Sequence, residues 1–136
     1  MKRNGTIRLA IVLGICAAGL PVHAHHSYAL FDRCTSVALD GQIENVEWVN
    51  PHIMINLKID DGQTYRVEWF SLQQLQNAGL APEPLKAGDR VVIRGAAMRD
   101  PAMKVMSLLT EIRRASDGWN WNREPRAMPP ECAQQQ

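Results

Sequence analysis

Past position 35 the chain alternates between apolar and polar residues. Between His52 and Asp60, Ile53, Ile55, Leu57 and Ile59 fall on one face, and His52, Met54, Asn56 and Lys58 on the other. A period of two is the pattern of a half-buried β-strand. Asp61-Gly62 then supplies a hairpin turn, and Gln63–Phe70 returns as a strand with Tyr65, Val67 and Trp69 on one face. Upstream, Thr35–Val49 is β-compatible but interrupted by Gly41, which predicts a bulge or bend. Asn50-Pro51 marks a turn. Ser71 is placed to cap a short helix over LQQLQNA that stops at Gly79. After the Ala81–Pro84 link and the Lys86–Asp89 turn, strands are expected at Arg90–Gly95 and Lys104–Arg113. The order is β-β-β-α-β-β. It predicts an all-β fold with one short helix, a small five-stranded OB-fold-like barrel over residues 35–115. A six-stranded sandwich is the alternative. Residues 116–136 lose the pattern and read as an irregular C-terminal tail.

The chain before position 25 has a different character. Lys2, Arg3 and Arg8 precede or enter the apolar run Leu9–Leu20, and Pro21 breaks it. Val22 and Ala24 occupy the −3 and −1 positions of a cleavage site. Residues 1–24 therefore read as a signal peptide. The run is too short for a bilayer, which needs about 20 apolar residues, so no membrane contact is expected after cleavage. Ile15 before Cys16 speaks against lipidation, which favours a small residue there. A periplasmic or secreted protein beginning at His25 is the expectation, with 25–34 an N-terminal His-His segment.

Composition changes meaning once that segment is set aside. The whole chain has 136 residues and net charge +1; without its three leader cations it has 12 basic and 14 acidic residues. Nucleic acid, which needs a basic surface to neutralise phosphates, is not an expected partner. One modest core and one domain fit the length. Export would put Cys34 and Cys132 in an oxidising compartment, where a disulfide is favoured over a reactive thiol.

Three motifs have a familiar look: HHSYALFD at His25–Asp32, WVNPH at Trp48–His52 and LKAGDRVVIRG at Leu85–Gly95. Together they resemble a family of small exported bacterial proteins of unknown function (domain-of-unknown-function family 6152). The resemblance covers about residues 25–113 and implies no activity. The Trp119–Cys132 tail looks like an addition to the family pattern.

The chemistry on offer is histidine chemistry. After the leader, the histidines are His25, His26 and His52. A mature N-terminus at His25 would present its α-amine beside an imidazole, and His26 adds a second ring. With His52 and Met54 these residues are the candidate metal ligands, copper ahead of zinc by the affinity order. Met103 and Met106 are further soft candidates. Twenty-seven positions separate His25 from His52, and sequence does not bring them together. The competing reading is a barrel that binds an organic ligand or a periplasmic protein across an aromatic face carrying Trp48, Asn50 and Trp69. Catalysis has little support: there is no nucleophile elbow, HExxH, CxxC or phosphate loop, and Asp32 and Glu68 have no partner visible in sequence.

Overall fold

A computed structural model describes residues 28–124 and 127–134 of the protein. The strands are β1 (Val37–Glu47), β2 (Met54–Ile59), β3 (Thr64–Glu68), β4 (Arg90–Ala97), β5 (Val105–Arg114) and β6 (Asn120–Asn122), and the one α-helix is α1 (Leu72–Asn77). The sheet runs β3-β2-β1-β4-β5-β6, and a parallel pairing of β3 with β5 closes the first five strands into a barrel. That circuit, with the helix between β3 and β4, is the OB-type barrel the alternation predicts. The signal-peptide reading and the His25-His26 pair lie outside the described residues.

Closure lets the inward positions fill a small interior. Ile55 and Leu57 of β2, Val67 of β3, Val91 and Ile93 of β4, and Met106 and Ile112 of β5 are all buried there. Met106 is thus a core residue and unavailable to a metal, while Met103 sits exposed on a 3-10 turn at Pro101–Met103. Ser71 caps α1 by accepting from Gln74 N, and the Gln74 side chain accepts from Ser71 N, a complete capping box.

The interruption in β1 resolves into two features. The register slips at Glu44, between Ile43 and Asn45, so the bulge is three residues past the glycine. Gly41 itself continues the ladder, but a Cβ there would stand 2.4 Å from the Lys58 carbonyl oxygen. The glycine is required for close approach of two strands. A second slip lies between β4 and β5, at Arg94/Ala96, with Leu108 held at φ 52° beside it. A left-handed leucine costs roughly 1 kcal/mol or more, a strain of the kind that clusters at working sites.

The stretch read as an irregular tail contains β6, which pairs with β5 and buries Trp121. Cys34 and Cys132 form a disulfide with Cα atoms 5.3 Å apart. No helix among the described residues is long and apolar enough to cross a membrane.

Arg114, at the end of β5, ties the tail to the barrel. Its guanidinium donates to Asp89 Oδ2 at 2.9 Å, to both carboxylate oxygens of Asp117 and to the Pro84 carbonyl. Hydrogen bonds from Arg114 and then from the Trp119 backbone N–H lower the Asp117 pKa to about 2. A carboxylate depressed on folding stabilises above its unfolded pKa, near 3.8, and that contribution is lost as pH falls through the folded value. Thermal unfolding followed from pH 5 to pH 2 is therefore expected to show a shallower acid loss in Asp117→Asn than in the native protein.

Candidate metal and ligand site

The N-terminal segment is the first part of the site. Phe31 bridges Met98, Asp32 N donates to the Ala97 carbonyl at 2.9 Å, and Arg99 N donates to the Leu30 carbonyl at 2.9 Å. Phe31 is buried, and Asp32 Oδ1 accepts from Cys34 N. These contacts fix the Tyr28–Cys34 stretch against the end of β4.

His52 is the second part. It follows the Asn50-Pro51 turn, whose peptide bond is cis, and precedes β2. Backbone bonds from Trp69 N to the Ile53 carbonyl and from Ile53 N to the Phe70 carbonyl extend the β2–β3 ladder past its formal end. That extension brings the His52 ring to Glu68 and Trp69. His52 Nδ1 lies 3.3 Å from the Trp69 carbonyl oxygen, and His52 Nε2 lies 3.4 Å from Glu68 Oε1. Glu68 is 7% exposed, one of two buried polar or charged residues among those described, the other being Ser107.

A cavity of about 290 Å³ opens on this pair. One wall is Tyr28 and Arg33 to Ser36; a second is His52 and Glu68 to Phe70; the third is Gly95, Ala96 and Ser107 to Thr110, where the β4–β5 slip widens the sheet. Ala127, Met128 and Pro129 of the tail complete it. The tail is held there by the disulfide and by a 2.6 Å ion pair between Arg33 and Glu131. On the other side of the His52–Glu68 pair lies a second hollow, of about 430 Å³, lined by Leu30, Val49, Asn50, Met54 and Met98 among others.

The candidate residues are thus partly assembled. His52 and Met54 share the second hollow, and His52 lines both. Trp69 is 2% exposed and its Nε1–H has no hydrogen-bond acceptor among the described residues. Its ring meets Trp121 nearly edge-on at 5.3 Å and Trp48 at 6.2 Å. Trp69 lines the first hollow, Asn50 lines the second, and Trp48 lines neither of these two. Trp69 is a core residue with one edge on the cavity. Among the described residues, no three His, Cys, Asp or Glu side chains gather into a metal-sized group.

Sequence reasoning named Glu68 but found no partner for it. Its signal was present in the hairpin: counting outward from Asp61-Gly62 pairs Lys58 with Thr64, Asn56 with Arg66 and Met54 with Glu68. The next step along the ladder places His52 diagonal to Glu68.

The chain belongs to the family of unknown function DUF6152, whose model matches residues 13–106. β6 and Cys132 lie beyond the matched stretch. No curated protein and no solved structure matches the chain.

Proposed function

We propose that this is an exported metal-binding barrel whose site is formed by His52 together with His25 and His26, copper being favoured over zinc. The observation that carries the reading is that Tyr28 and His52 line the same cavity. Twenty-four positions apart in sequence, they are neighbours of one hollow. His26 precedes Tyr28 by two positions in the sequence, which is what supports counting the N-terminal histidines with His52. Imidazole nitrogens suit copper and zinc, and the affinity order favours Cu(II). Export is supported by the basic start and short apolar run, and by a disulfide that an oxidising compartment maintains.

A second reading is favoured by Trp69. A buried indole donor with no acceptor among the described residues, beside a cavity, suits an organic ligand carrying an acceptor oxygen.

The test is titration of Cu(II) into protein recovered from the periplasm of an expressing bacterium, with its N-terminus defined by mass spectrometry. One saturating equivalent is expected, weakened at least about tenfold in the His25→Ala/His26→Ala double variant. Equal affinity in the two proteins would remove the N-terminal histidines from the site.

A further inference from the structure

The two buried polar or charged residues among those described, Glu68 and Ser107, line the same cavity of about 290 Å³. The seam between β3 and β5 explains why they meet. Its parallel register sets Arg66 beside Val105 and Val67 beside Met106. Val67 and Met106 are buried in the barrel interior. One step further along the seam, Glu68 stands level with Ser107, and alternation turns both to the outer side of the sheet. Polar residues on the outside of a barrel are ordinarily solvated. Ser107 is instead 4% exposed, and its hydroxyl makes no hydrogen bond among the described residues. A buried hydroxyl without a partner costs free energy that a bound hydrogen-bonding group would restore.

We infer that this cavity is a binding site for a neutral, multiply hydroxylated molecule of one ring, a monosaccharide or cyclic polyol, held by Glu68 and Ser107; this rests on the second reading above, an organic ligand in the cavity, and names its chemistry. It stands whether or not His52 holds a metal. The arginines and glutamates lining the cavity balance, Arg33 and Arg123 against Glu68 and Glu124. Arg33 is engaged by Glu131 at 2.6 Å, and the Arg123 guanidinium lies 4.7 Å from the Phe70 ring centroid. Neither sign is in excess to select a charged ligand. The further polar lining is hydroxyl and amide, from Thr35, Ser36, Gln74 and Thr110, groups that both donate and accept. Sugar hydroxyls do the same, so one can donate to Glu68 while another pairs with Ser107. An apolar ring would leave both groups unpaired, which is how such sites reject an analogue that lacks the hydroxyl. The volume lies at the lower end of the range for ligand sites, roughly 300–1,000 Å³, and suits one ring and not a chain.

The experiment titrates the processed, disulfide-bonded protein and records amide proton–nitrogen correlation spectra. The probes are D-glucose, D-galactose, D-mannose and N-acetyl-D-glucosamine, with D-glucuronate as the charged counterpart and cyclohexanone as a ring that only accepts. At least one neutral sugar is expected to saturate, shifting the Glu68, Ser107 and Thr110 amides, and to bind more tightly than glucuronate and cyclohexanone. Ser107→Ala should weaken that sugar about 2–10-fold, the effect of one hydrogen bond, and leave the ligand-free thermal midpoint unchanged or raised. Thr110→Val takes its place should that variant fail to fold. Native sugar affinity in the variant, or glucuronate bound as tightly as the sugar, would overturn the inference. Saturation by cyclohexanone and by no sugar would overturn it and leave the organic-ligand reading standing. Saturation by none of the probes would overturn both.

Discussion

Replacing Cys34 and Cys132 by serine is expected to lower the free energy of unfolding by about 4–5 kcal/mol, the chain-entropy value for closing a loop near 100 residues. The bridge spans 98 positions and links the segment docked on β4 to the last described turn of the chain. Almost the whole barrel lies between its ends. Its reduction frees the unfolded chain, while neither cysteine belongs to the main hydrophobic cluster of the barrel. Cys132 is 2% exposed, so part of the loss is packing at the tail as well. Urea denaturation of native and double-serine proteins gives the difference directly. A loss below about 1 kcal/mol would mean that the unfolded chain is already compact near these residues. The same variant should weaken the cavity wall, because Ala127, Met128 and Pro129 are tethered through Cys132 and Glu131.

Loss of His52 is expected to have the largest effect on metal. His52→Ala should lower Cu(II) affinity by at least about 100-fold, beyond the 10–100-fold typical of outer-shell changes, because it removes a ligand and also the group that Glu68 faces. The barrel should survive, as His52 precedes β2 and its neighbours Ile53 and Ile55 remain in the core. His52→Gln, which keeps a polar side chain beside Glu68, serves as the folded control. Isothermal titration of the three proteins measures both affinity and the fraction competent to bind. Undiminished affinity in both variants would move the metal away from the cavity.

Much of this fold was legible because local chemistry and global packing agree in it. The alternation of Ile53, Ile55 and Leu57, the Asp61-Gly62 turn and the Ser71 cap each specify one structure, and the barrel uses all three. The parts that stayed hidden depend on contacts across the fold. β6 is three residues long, too short for any periodic signal, and exists because Trp121 finds a place opposite Ile112 and against Trp69. Gly41 gave a correct warning with the wrong mechanism: the glycine marks close strand approach, and the bulge falls at Glu44. For the site, His52 stood out by residue type alone. Glu68 did not, because its partner His52 becomes visible only when the hairpin register is counted. Trp48, Asn50 and Trp69 differ in exposure, Trp69 being buried, Trp48 half-buried and Asn50 exposed, because nearness in strand order says nothing about which side of the sheet is open.

The most direct test is an anomalous difference map from crystals of the processed protein grown with Cu(II), recorded at the copper edge. The account predicts a single peak about 2 Å from a ring nitrogen of His52 and within bonding distance of an N-terminal histidine nitrogen. A map with no peak at His52, and organic density against Trp69 Nε1 instead, would contradict it.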